Sequence, residues 1–162
     1  MSGNTFLRAT AILTTAAVVM CAAAQDKERP KNKGLSVYAI RAHRDKERKF
    51  KADEAIKHLE RYLRATGYHR FSLIRKDAAA AEKGASLKTM LPDDLELSVK
   101  VETVGKNSLR IHMKLVKTET DEKGEEKRTV LINTKYTIRE KPLVVVGVRL
   151  KEGVLVLAFC RE

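Results

Sequence analysis

The chain has 162 residues, with 33 Lys and Arg against 21 Asp and Glu and a net charge of +12. That length holds one domain plus a processing segment, and the charge favours anionic partners without naming one. The lack of Trp and the 5% aromatic content argue against a base-stacking nucleic-acid surface. No G-x-G-x-x-G, P-loop, G-x-S-x-G or H-E-x-x-H pattern occurs to specify a nucleotide enzyme, a hydrolase or a metalloprotease.

Residues 1–24 have the order of a signal peptide. Arg8 is the only charged side chain before Asp26, Ala9 to Cys21 are apolar or small, and Ala22-Ala23-Ala24 forms an A-x-A-like cleavage site before Gln25. The run is short for a membrane span, which needs about 20 predominantly apolar residues. An uncleaved anchor is one competing reading. A lipoprotein is the other, opposed by Met20, which is too large for the position before a lipidated Cys21. Cleavage after Ala24 leaves Cys160 as the one cysteine, so no internal disulfide is expected. Residues 25–34, charged and containing Pro30 and Gly34, are expected to be a flexible tether. Residues 35–162 are then a single β-rich domain, long enough for a core without staples.

Leu35 to Ala42 is expected to be the first strand, followed by a charged loop from His43 to Lys51. A helix is expected over about 52–66. Ile56, Leu59 and Leu63 recur at helical spacing, Ala55 and Tyr62 widen the stripe, and Gly67 ends it. From Tyr68 the period falls to two. Phe71 and Leu73 alternate, Ala78 to Ala81 is ambiguous, and Leu87, Thr89 and Leu91 lead into the turn Pro92-Asp93-Asp94. Leu95, Leu97, Val99 and Val101, then Leu109, Ile111, Met113 and Leu115, form a hairpin with one wet and one dry face. Val130 to Ile138 is the next strand. Leu143–Val148 and Val154–Cys160 are apolar at consecutive positions, so both are expected to be covered on both faces and to lie centrally with the first strand, the helix on one side and other strands on the other. In that arrangement Cys160 is buried. The expected fold class is α+β: predominantly antiparallel β, about seven or eight strands, with one amphipathic helix packed on the sheet.

No constellation points to catalysis, a metal or a cofactor. His43, His58, His69 and His112 have no i, i+4 pairing and no companion CxxC. A Cys160–His112 thiol–imidazole pair is opposed by the place of Cys160 at the end of an apolar strand. Asp93-Asp94 has the chemistry of a turn. Charge alone has direction: Arg41 to Lys76 carries twelve Lys and Arg against five acids. Within it Lys57, Arg61 and Arg64 share one side of the expected helix, and Arg44, Lys46, Arg48 and Lys49 crowd the adjoining loop. These seven residues are the candidate anion- or partner-binding site. The competing explanation is a solvated face that aids solubility.

The closing pattern Leu131-Ile132-Asn133-Thr134, Leu143-Val144-Val145-Val146-Gly147 and Gly153-Val154-Leu155-Val156-Leu157-Ala158 resembles the end of a family of small uncharacterised exported bacterial proteins. In these a strand, a helix and several strands finish in an apolar hairpin, and the resemblance extends over 35–160. It implies an exported β-rich fold and no particular activity. The same hairpin is similar to the last strands of secretin channel domains, although the chain is too short for a secretin barrel. The expectation is an exported periplasmic, extracellular or envelope-associated module, non-enzymatic, that binds a protein partner or an anionic surface, with no membrane span in the mature chain. The alternatives are an enzyme of unrecognised type or a nucleic-acid-binding protein.

Overall fold

The computed structural model describes residues 34–47 and 49–162. The expected signal peptide, residues 25–33 of the tether, and Arg48 lie outside the described residues. The described residues form β1 (Leu35–His43), β2 (Lys51–Ala52), a 3-10 segment (Glu54–Leu59) running into α1 (Glu60–Arg64), β3 (Arg70–Ala79), β4 (Ser86–Leu91), β5 (Leu95–Val104), β6 (Leu109–Thr120), β7 (Glu126–Ile138), β8 (Leu143–Arg149) and β9 (Val154–Arg161). They make a five-stranded sheet in the order β2-β3-β1-β9-β8 and a four-stranded sheet in the order β4-β5-β6-β7. Pairing is antiparallel except between β2 and β3.

Period two on β1 and β9 builds three layers. Leu35, Val37 and Ala39, with Leu155, Leu157 and Phe159, meet the dry face of the four-stranded sheet (Leu97, Val99, Ile111, Met113) in one buried cluster. The alternate residues Tyr38, Ile40 and Ala42, with Val156 and Ala158, meet Ile56, Leu59, Leu63 and Phe71 in a second. Two apolar faces on one strand require a cover on each, and here the covers are the helix and the second sheet. The fold class is therefore α+β as expected, with nine strands among the described residues rather than seven or eight.

Three local expectations are corrected, and one left open is resolved. Among the described residues β8 is an edge strand, paired only with β9, and Val146 is 46% exposed. An apolar run records hydrophobicity on both faces, but strand order depends on which backbones pair. Cys160, beside the outer end of β1, is half-buried rather than buried. The helix is shorter than 52–66 and starts as a 3-10 segment. The Asp53 carboxylate accepts the Leu73 backbone N–H at 2.7 Å instead of capping, and the first turn tightens to Ile56 N–H donating to Asp53 C=O at 3.0 Å. At three residues per turn Ile56 and Leu59 eclipse, so the stripe narrows: Ala55 is exposed and Tyr62 half-buried. The ambiguous alanines divide, with Ala78 and Ala79 ending β3.

The turn between β8 and β9 is pressed against the end of β1. A Cβ on Gly153 would lie 2.6 Å from the Ala42 carbonyl oxygen, and its φ is +87°. Only glycine suits both conditions. This close approach gathers the ends of β1, β3 and β9 where the basic loop leaves the sheet.

Candidate functional site: a basic cleft at the strand ends

In the register of β1 and β3, Arg41 lies opposite Ser72 and His43 opposite Arg70. Their neighbours Ala42 and Phe71 belong to the helix-side core, so these four side chains share the opposite face of the sheet. The loop after His43 adds Arg44, Asp45 and Lys46, and β2 returns Lys51 with Asp53 just beyond it. Together they line an open cleft of about 710 Å³.

Five cations converge there: Arg41, Arg44, Lys46, Lys51 and Arg70. The two acids are engaged within the fold. Asp53 holds the Leu73 N–H. Asp45 accepts the Glu47 N–H at 3.2 Å and lies 4.0 Å from the Lys51 ammonium. Arg41 reaches Glu152 at 3.2 Å through one terminal nitrogen, while its Nε is buried with no partner. Arg44 stacks over Tyr68 at 5.7 Å, which braces the guanidinium without neutralising it. Arg70 and Lys46 have no acidic partner among the described residues. His43 and Ser72 also line the cleft, and no hydrogen bond joins their side chains.

Of the seven residues singled out in the sequence, Arg44 and Lys46 line this cleft. Lys49 is exposed on the same loop, and Arg48 lies outside the described residues. The helix cations sit apart from it. Lys57 is ion-paired with Glu54. Arg64 is held by Glu60 at 2.6 Å and lies 4.4 Å over the Phe50 ring, which in turn packs on Phe71. Arg61 is exposed, with no acidic partner among the described residues. Two of the three helix charges are thus compensated by neighbours three or four residues away. The cleft residues not singled out, Arg41, Lys51 and Arg70, belong to the same run of twelve cations. What brings them together is strand register.

Cys160 and His112 do not meet. Cys160 packs at the helix-side core, whereas His112 is on the outside of the four-stranded sheet, 2.5 Å from Asn133. Burial first, and the Glu162 carboxylate second, push the Cys160 thiol up to about 11. Asp93 and Asp94 have φ of 62° and 58°, the left-handed geometry that Asp tolerates in turns. No group of three metal-ligating side chains occurs among the described residues, and no helix there is long and apolar enough to cross a membrane. No protein-family model, curated protein or solved structure matches the chain.

Proposed function

We propose that this chain is an exported, periplasmic or envelope-associated binding module, non-enzymatic, whose basic cleft receives an acidic segment of a protein partner. The observation that carries the proposal is the convergence of Arg41, Arg44, Lys46, Lys51 and Arg70 in one concavity whose acids are already engaged. A recess suits a side chain or chain segment that projects into it. Guanidinium groups bind carboxylates bidentately with defined direction. Export rests on the order Arg8, apolar run and Ala22–Ala24; N-terminal sequencing of exported material should begin at Gln25, and an intact Met1 overturns it.

The test is titration of the protein with a Glu-rich peptide across a range of salt. Arg44→Gln/Lys46→Gln/Arg70→Gln should weaken binding about tenfold or more, through three lost charges. The helix variant Lys57→Gln/Arg61→Gln/Arg64→Gln should change it far less, because two of its charges are locally compensated. Equal affinity of the folded cleft variant and wild type, or binding indifferent to salt, overturns the reading.

A further inference from the structure

The second basic surface lies on the outer face of the four-stranded sheet. Inward residues of β5 and β6 are core, so their alternates point outward. Across the sheet the register aligns Lys88, Ser98, Lys114 and Asn133 in one row, and Ser86, Lys100, His112 and Lys135 in the next. A third row holds Met90, Glu96, Val116 and Val130. With Arg110 and Arg128 the face carries six cations against Glu96 and Glu102, and Glu126 stands as a third acid at the far end of β7.

Glu96 and Glu102 are each bridged by two cations. Glu96 lies 2.9 Å from both Lys88 and Arg128. Glu102 lies 2.6 Å from Lys135 and 3.6 Å from Arg110. Each cluster therefore keeps one net positive charge. Lys100 and Lys114, both exposed, have no acidic partner among the described residues and add two more. Apolar groups stand beside this charge: Met90 is 57% exposed and Val130 49%.

We infer that the outer face of the four-stranded sheet docks on an anionic lipid bilayer, its lysines and arginines against the headgroups and Met90 and Val130 against the interface. The shape and composition of the face select this partner. Single-stranded nucleic acid is held by aromatic platforms, and these three rows contain no Phe, Tyr or Trp. Duplex DNA, which basic side chains also bind through its phosphates, offers no apolar interface for the exposed Met90 and Val130. A broad array of basic side chains interspersed with small apolar ones matches a planar anionic surface. The helix is on the opposite outer layer of the fold, so docking leaves it facing away from the bilayer.

The full-length protein should co-sediment with vesicles of phosphatidylcholine and phosphatidylglycerol, more than with phosphatidylcholine alone. The difference should vanish near 1 M salt, where the Debye length is about 3 Å. The apolar run at 9–21 is common to every variant, so it cancels in the comparison between them. Lys100→Glu/Lys114→Glu, which breaks no ion pair, should lower the salt-sensitive partition about tenfold or more while circular dichroism and the melt stay those of wild type. Arg44→Gln/Lys46→Gln/Arg70→Gln should leave it unchanged, so failure here is separate from failure of the cleft. Wild-type partition of the folded Lys100/Lys114 variant, or a DNA oligonucleotide bound more tightly than the vesicles at equal salt, overturns the inference.

Discussion

The Asp93 carboxylate accepts the Lys151 backbone N–H at 2.7 Å, joining the β4–β5 turn of one sheet to the β8–β9 turn of the other. The two residues are 58 positions apart, and each sits in a turn whose conformation is demanding on its own account. Asp93 has positive φ, and Lys151 precedes the tightly approached Gly153.

Asp93→Ala removes the acceptor and places alanine in the left-handed region, which it resists. The expected loss is about 1–2 kcal/mol. Asp93→Asn keeps an acceptor oxygen and the tolerance for that φ, and should recover most of it. Urea melts of the two variants check this; equal stabilities of both with wild type would show that the link contributes nothing.

The three-layer core makes a graded expectation. Leu157 is fully buried between the sheets and Leu59 beneath the helix, so truncating either to alanine should cost about 2–5 kcal/mol. Val146, on the edge strand and 46% exposed, should cost under about 0.5 kcal/mol as alanine. Denaturant melts in which Val146→Ala matches Leu157→Ala would place β8 inside the sheet rather than at its edge.

Cys160 gives a pH dependence. Its thiol is raised from 9.0 to about 11 in the fold, so the unfolded chain releases this proton first as pH rises. Between about pH 9 and pH 11 the native state holds more protons than the unfolded state, and stability falls with increasing pH. Below that window the thiol is neutral in both states and its contribution is constant. In a Cys21→Ser chain, iodoacetamide should therefore alkylate Cys160 slowly at pH 8, faster in urea, and the folded rate should climb toward pH 11. A folded rate at pH 8 equal to that of the denatured chain would refute the shift.

What the amino-acid order determined alone was whatever depends on a residue's near neighbours. The alternation Leu95 to Val101 and Leu109 to Leu115 specified a hairpin with one dry face, because period two is a property of a single strand. The doubly apolar Leu35 to Ala42 and Val154 to Ala158 required two covers, and Ile56, Leu59 and Leu63 identified one of them. The density of positive charge between Arg41 and Lys76 was equally plain, as was its excess over acids. Tertiary structure alone decided where those charges meet. Arg70 reaches the cleft because it pairs opposite His43, and Lys100 joins Lys114 and Lys135 because three strands align in register. Strand order made an edge of β8, although its composition matches that of β9. Pairing partners are chosen by the fit of the whole set of strands, with backbone groups that are the same in every residue, so side-chain pattern within one segment carries little of that choice.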